Sequence, residues 1–203
     1  MNHFKYIGIG LCTALFIGGC ATNKNESSQP AGFLGDYSNL ELVKNNDGTE
    51  TRRWIDPKIK KGQYPKLIVV PVAFYPKPKA TEQIPVETLQ GIRSYTTEAL
   101  HRELGKSFVL VHEREPDVAH LRVVITGLKT ETEGWSDDEA AYLLVEASLE
   151  DSLTSRQIGK AVRKIHARKL LENYEEQLTA DMMHSAIDDA ASGTRMLFEQ
   201  VLK

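Results

Sequence analysis

The sequence predicts an α+β fold, a mostly antiparallel sheet of about four to six strands with two helices packed on one face, in a single domain. Two segments, 86–104 and 179–202, repeat apolar residues every three or four positions, as amphipathic helices do. Between them, segments such as 119–126 alternate apolar and polar residues, as half-buried strands do. Two amphipathic helices on one face of such a sheet make an α+β sandwich.

The composition is that of an ordinary globular protein. The chain has 203 residues, of which 41% are hydrophobic and 26% charged. These values exclude wholesale disorder and a polytopic membrane protein. The formal net charge is −3, whereas nucleic-acid binders usually carry a basic stripe, so we expect no nucleic-acid partner.

Residues 1–19 are predicted to be a lipoprotein signal peptide. A short start containing Lys5 precedes an apolar run over 6–17, which suits a signal peptide and is shorter than the roughly 20 residues that span a bilayer. The run ends in Ile17-Gly18-Gly19-Cys20, which resembles the bacterial lipobox. We therefore expect a diacylglycerol on the thiol of Cys20, the alternative being an ordinary secretory signal with a chance cysteine.

The lipobox also implies a location. A single acyl chain anchors only marginally, whereas the three chains expected on Cys20 hold a protein stably on a membrane. The next residue is Ala21, and in Gram-negative lipoprotein sorting an Asp at this position retains the protein in the inner membrane. We therefore expect an outer-membrane lipoprotein that faces the periplasm. Since Cys12 leaves with the signal peptide and Cys20 is acylated, no disulfide is expected.

Residues 20–31 are predicted to be a flexible tether, and residues 32–203 a periplasmic domain that begins with an ordered arm over 32–57. The tether is polar and has no apolar period. The start of the arm concentrates the apolar residues Phe33, Leu34, Tyr37 and Leu40. Either these residues seal or lengthen the sheet, or their aromatic rings dock an envelope partner.

The first half of the domain contains the strongest strand signal and the first helix. Residues 67–75 form a continuous apolar run, which predicts a strand buried on both faces, with Pro71 at a bulge or unpaired side. A shorter strand is predicted at 51–55. Helix 86–104 has Pro85 near its start and Gly105 as a C-terminal cap.

The second half is predicted to be strands followed by a helix. The last strand is ambiguous because its apolar spacing also fits a helix. Thr179 is expected to cap the final helix, and Gly193 is a weak point within it. The predicted strands lie at 108–112, 119–126, 142–150 and 157–166.

Three stretches resemble a known family. Together, and just after a lipobox, they are similar to the bacterial lipoprotein family called domain of unknown function 3313, from about Phe33 to about Ile165. The resemblance implies location and fold and no activity. Family members often carry a longer Gly/Ala-rich insertion, where this chain has an acidic loop at 131–139. The three stretches are Gly32 to Leu40, Trp54-Ile55-Asp56-Pro57 and Leu67 to Val72.

No motif of the chain predicts a catalytic, cofactor or metal site. The sequence contains no H-x-x-x-H pair, no G-x-S-x-G nucleophile elbow and no glycine-rich phosphate loop. The acidic loop at 131–139 lacks the spacing of a calcium loop, and Trp135 within it is a candidate for protein contact. Basic residues between 156 and 169 either face phosphate headgroups or an acidic partner, or form a solvated surface.

These observations predict a non-catalytic, outer-membrane-anchored periplasmic lipoprotein that binds or scaffolds in the cell envelope. The candidate contacts with an envelope protein partner are Phe33, Leu34, Tyr37 and Trp135. The alternative is an accessory lipoprotein that carries a small apolar ligand or lipid between the sheet and the helices for an envelope transport system. The two interpretations differ in structure, because a carrier requires an apolar cavity of several hundred Å³.

Overall fold

The structure, a computed structural model, describes residues 31–45, 49–129, 141–167 and 177–203. The predicted signal peptide 1–19, the predicted lipidation site Cys20 and the predicted tether up to residue 30 lie outside the described residues. So do the acidic loop 131–139 and its Trp135.

The described residues form two helices and eight strands. The strands β1 to β8 are Glu41–Lys44, Glu50–Ile55, Lys66–Val69, Ala73–Phe74, Val109–Leu110, Val118–Lys129, Tyr142–Asp151 and Gln157–His166, and the helices α1 and α2 are Val86–Leu104 and Asp181–Leu202.

The strands make one mixed sheet in the order β1-β2-β8-β7-β6-β3-β5, with β4 beside β6. The α+β class with two helices is confirmed, and four of the seven strand pairs are antiparallel. The sheet is nevertheless mixed, and its eight strands exceed the expected four to six. The pairs from β1 to β6 are antiparallel, but β3 is parallel to β5 and β6, and β4 is parallel to β6. Helix α1 carries the chain back to the start of the sheet between β4 and β5, as parallel pairing requires. The additional strands are short, and β4 and β5 have two residues each.

The apolar run at 67–75 is divided into two strands. Strand β3 ends at Val69, the exposed Pro71 interrupts the ladder, and β4 begins at Ala73. Leu67 and Val69 are buried whereas Ile68 is half-buried. The prediction of one strand buried on both faces is wrong, because proline has no N–H to donate to a ladder.

The helices follow the predicted periodicity closely. The bounds of α1 agree with the prediction, although Val86 at its start is exposed. Gly105 follows α1 with a φ of −63°, so it ends the helix without the left-handed conformation that favours glycine. Helix α2 begins at Asp181 after Ala180, with no side-chain cap, so the expected Thr179 cap is wrong. The ambiguous segment 157–166 is a strand, paired with both β2 and β7.

The main core lies between the two helices and one face of the sheet, and the first part of the predicted arm, residues 32–40, crosses the other face. The later part of the predicted arm forms β1 and β2 within the sheet. Buried residues of β6 and β7 such as Leu121 and Leu143 meet Ile187 and Phe198 of α2 in one cluster. Seven strands side by side extend over about 29 Å, whereas two helices of about 10 Å diameter cover about 20 Å. Two helices therefore leave part of this face without a helix on it.

Candidate functional site

A cavity of about 460 Å³ lies between α2 and strands β2, β8 and β7; we call it the α2–β8 groove. Its volume is within the range of about 300–1,000 Å³ found for small-molecule sites. It lies between the sheet and a helix, the location expected for the carrier interpretation. Its described lining is Lys44, Asn45, Thr51, Arg53, Thr96, Leu100, Leu121, Val123, Val145, Ala147, Ala161, Arg163, Ile165, Ile187, Asp189, Ala190, Ala191, Ser192, Gly193, Thr194, Met196, Leu197, Phe198 and Gln200.

Small side chains on both walls keep the groove open. On the sheet, Ala147 of β7 is paired with Ala161 of β8. On α2, residues 190–194 read Ala-Ala-Ser-Gly-Thr. A helix packs on a sheet through side chains that fill the space between them, so short side chains on both sides leave that space empty.

The deep part of the groove is apolar. Leu121 and Val123 of β6 and Ile187 and Phe198 of α2 line it, and all four are buried. These residues also belong to the main core. A ligand in the groove would therefore extend the core rather than touch an isolated surface.

The side of the groove next to the sheet edge is polar. The side-chain nitrogen of Asn45 donates to the hydroxyl oxygens of Thr49, at 3.0 Å, and Thr51, at 2.8 Å. The Arg163 Nη2 also donates to the Thr49 hydroxyl, at 3.0 Å. The strand register places Thr51 opposite Arg163, and Arg53 two pairs further along, opposite Ala161. Hydroxyl, amide and guanidinium groups thus lie together where β1 and β2 border the groove.

Three cations and one carboxylate are among the described lining residues. The cations are Lys44, Arg53 and Arg163, and the carboxylate is Asp189. Within the described residues, the side chains of Lys44 and Arg53 form neither a hydrogen bond nor an ion pair. A Cβ placed on Gly193 would lie 3.4 Å from the Arg163 Nη1, so this guanidinium lies close beneath the glycine in α2.

The arm residues predicted to contact a partner pack against the protein's own sheet. Leu34 and Tyr37 are half-buried against a second apolar cluster on the face opposite the helices. Phe33 lies against two side chains, with its ring centre 5.8 Å from that of Tyr75 and 5.5 Å from the Arg122 guanidinium carbon. These contacts support the interpretation that the arm seals the sheet.

A buried carboxyl group fastens the arm. Glu146 of β7 has no solvent exposure. Its Oε2 accepts a hydrogen bond from the Tyr37 hydroxyl at 2.6 Å, and its Oε1 accepts one from the Ala31 N–H at 2.8 Å. Burial, together with the hydrogen bond to Glu146, raises the pKa of Tyr37. The phenol therefore remains a donor at neutral pH.

A buried amine fastens the arm at a second point. Lys160 of β8 is buried, and its Nζ donates to the backbone carbonyl of Asp36 at 2.6 Å. The same Nζ lies 5.8 Å from the centre of the Trp54 ring. Both ionisable side chains that the sheet buries beneath the arm thus find polar partners in the arm itself.

The basic residues of the 156–169 segment do not form one patch. Arg156 pairs with Asp56, Lys160 holds the arm, and Arg163 lies in the groove. Because side chains alternate along a strand, Lys160 and Arg163 lie on opposite faces of the sheet. The hydrogen bond from the Lys58 N–H, followed by the Arg156 guanidinium, lowers the pKa of Asp56. Residues 168 and 169 lie outside the described part of the chain.

Neither a metal cluster nor a membrane span is found in the described residues. No group of three or more potential metal ligands occurs within 31–45, 49–129, 141–167 and 177–203. Neither helix described is long and apolar enough to cross a bilayer. Burial lowers the pKa of His120, which lies half-buried on β6.

The carrier interpretation of the sequence predicts a site between the sheet and the helices but names none of its residues. The available signal was the run of small residues 190–194 in an otherwise amphipathic helix. Its counterpart on the sheet, Ala147 beside Ala161, becomes visible only when the strands are paired.

A curated relative and two solved structures are similar to this chain. The uncharacterized lipoprotein YdcL of Escherichia coli (strain K12) is 26% identical, with 92% of each chain covered. The PelC dodecamer from Paraburkholderia phytofirmans has a TM-score of 0.40 at 16% identity, over 71% of this chain and 96% of that chain. Protein XCC0632 from Xanthomonas campestris has a TM-score of 0.45 at 12% identity, over 72% and 90%. Structural likeness at this level carries no argument about function.

The family match agrees with the motifs in the sequence. Similarity to YdcL supports a lipoprotein of unknown function and agrees with the lipobox that ends at Cys20. The match to the family extends over residues 29–194. Since that span is most of the chain, the protein belongs to the family described as "Protein of unknown function (DUF3313)".

Proposed function

We propose that the protein is a non-catalytic, outer-membrane-anchored lipoprotein whose periplasmic domain binds a small apolar ligand or lipid in the α2–β8 groove. The observation that carries this proposal is the cavity of about 460 Å³ between the sheet and α2, with apolar side chains in its deep part. The lipobox ending at Cys20, followed by Ala21, supports the anchor and the location. The similarity to a lipoprotein supports the anchor as well.

The physical reason is the apolar surface inside the groove. Removing apolar surface from water contributes about 25 cal/mol per Å². A preformed apolar cleft with a few convergent polar groups is the usual form of a small-molecule site. The α2–β8 groove has both features, since buried apolar residues form its deep part and polar residues border one side.

Docking of an envelope protein through the arm stays a prediction with less support. Phe33, Leu34 and Tyr37 use much of their surface in contacts with the sheet. The docking hypothesis therefore requires that a partner bind the exposed parts of these three side chains, together with Trp135.

The test is photocrosslinking of a dodecanoate that carries a diazirine to the full-length lipoprotein in lipid nanodiscs, with mass spectrometry of the labelled peptides. We expect saturable labelling of peptides from β8 and α2. Ala161→Leu fills the groove and should reduce this labelling at least about tenfold. Ala73→Leu is the matched control, because Ala73 is exposed on β4 and does not line the groove.

Two results would contradict the proposal. One is the absence of saturable labelling at β8 and α2. The other is labelling that Ala161→Leu leaves unchanged while the variant melts like the unmodified protein.

A further inference from the structure

We propose that the ligand of the α2–β8 groove is a single-chain amphiphile with an anionic head group, in the simplest case a fatty carboxylate. This inference rests on the proposed function, since it requires that the groove binds a ligand at all. The head group binds beside Arg53 and Arg163, and the chain lies along the apolar floor beneath α2.

The described lining of the groove has a net charge opposite in sign to that of the chain. The whole protein has a formal net charge of −3. The described lining carries three cations, Lys44, Arg53 and Arg163, against the single carboxylate of Asp189. A cleft lined by one sign of charge with low-dielectric walls concentrates ligands of the opposite sign. A cationic or neutral head group would gain nothing from this excess.

The polar and apolar parts of the groove are arranged as an amphiphile requires. Thr51 and Arg53 lie on β2, next to the edge strand β1. Moving inward across the sheet, the residues paired with them are Arg163 and Ala161, and then Val145 and Ala147. The lining therefore changes from polar to apolar within three strands. A ligand that spans this change needs a polar end and an apolar end.

The two arginines offer the donor geometry that a carboxylate head group requires. A guanidinium offers several donors in a planar fork that matches a carboxylate or phosphate. Arg53 is half-buried, and its side chain has no carboxylate partner among the described residues. A partly desolvated cation gains from a counter-ion supplied by a ligand.

The matched control lies on the same strand. Arg52 is exposed and points to the opposite face, because its pairing partner Val162 belongs to the apolar cluster beneath the arm. Arg53→Gln thus removes a cation from the groove, and Arg52→Gln removes one of the same kind from the other face. Both variants change the net charge of the chain equally.

The experiment is competition against the diazirine-bearing dodecanoate on the full-length lipoprotein in nanodiscs. The competitors are dodecanoate, dodecanol and dodecyltrimethylammonium, which share one chain and differ in head-group charge. We expect dodecanoate to compete about tenfold better than dodecanol, as one or two favourable ion pairs would give. Dodecyltrimethylammonium should be the weakest competitor. Arg53→Gln should remove most of the preference for dodecanoate over dodecanol, and Arg52→Gln should leave it unchanged.

The outcomes separate this inference from the proposed function. Equal competition by all three compounds, with labelling still sensitive to Ala161→Leu, overturns the anionic head group and leaves ligand binding intact. A preference that Arg52→Gln reduces as much as Arg53→Gln also overturns it, because the effect would then follow net charge and not the groove. Labelling that is insensitive to Ala161→Leu overturns the proposed function itself.

Discussion

Replacing Tyr37 by phenylalanine removes one oxygen atom that holds the arm on the sheet. The hydroxyl donates to the Glu146 Oε2 at 2.6 Å. It also accepts from the N–H groups of Gly32 and Leu34, at 3.0 and 3.1 Å. Since Glu146 has no solvent exposure, water does not replace the lost donor while the arm stays in place. The aromatic ring and its packing are retained in the variant.

The expected cost is that of a buried polar group left without its partner. Such a group costs about 1–3 kcal/mol, and we take about 2 kcal/mol because the Ala31 N–H still donates to the other carboxyl oxygen. For a chain of this size, 1 kcal/mol corresponds to roughly 2–4 °C in Tm, so we expect Tyr37→Phe to lower the Tm by about 4–8 °C.

The assay combines thermal and chemical denaturation, for the Tm and the free energy of unfolding, with amide hydrogen exchange. Protection of the amides of residues 31–37 should fall in Tyr37→Phe, because the arm opens before the rest of the domain. Tyr75→Phe is the matched control, since this tyrosine also contacts Phe33 but its hydroxyl has no hydrogen bond to any described residue. A loss of stability below about 0.5 kcal/mol for Tyr37→Phe, or an equal loss for Tyr75→Phe, would refute the reasoning.

Three further predictions concern the helices, the acid limb of stability and the anchor. A Cβ on Gly91 would lie 2.7 Å from that of Ala180, so Gly91→Ala should destabilise the protein by about 1–2 kcal/mol in urea unfolding. Gly193→Ala should instead stabilise it by about 0.5–1 kcal/mol, because its nearest neighbour is the end of a flexible side chain. Equal signs for the two alanine variants would contradict this. The folded-state pKa of Asp56 is below its ordinary value of 3.8, so its contribution is complete above about pH 4 and is lost as the pH falls through the folded pKa. Asp56→Asn should lower the free energy of unfolding at neutral pH and make its decline below about pH 4 less steep. An unchanged decline at acid pH would contradict a stabilising ion pair between Asp56 and Arg156. Cys20→Ser should leave an uncleaved, unacylated precursor in cells, and normal processing of this variant would refute lipidation there.

Local sequence patterns predicted the long strands of the sheet but not all of their pairing. The alternation in 119–126 and 142–150 predicted β6 and β7, because each strand exposes a different environment on its two faces. The parallel pairing of β3 with β5 and β6 was missed, since it depends on where α1 returns the chain. Two-residue strands such as β4 carry no periodicity to detect.

The location of the α2–β8 groove could be predicted from the sequence, but its lining residues could not. A location between sheet and helices follows from any α+β sandwich. The volume of the groove, however, depends on Ala147 and Ala161, which lie side by side opposite the small residues of α2. The basic segment shows the same limit, since Arg163 and Lys160 belong to one run in sequence and to opposite faces of the sheet.

The sequence by itself determined the lipobox, the bounds of α1, the long antiparallel strands and the family, because these features depend on neighbouring residues. The tertiary structure alone decided the arm contact and the polar side of the groove. Ala31 bonds Glu146 across 115 positions, and Arg163 bonds Thr49 across 114. Partners so far apart leave no periodic trace in the chain, so only the folded backbone brings their polar groups within hydrogen-bond distance.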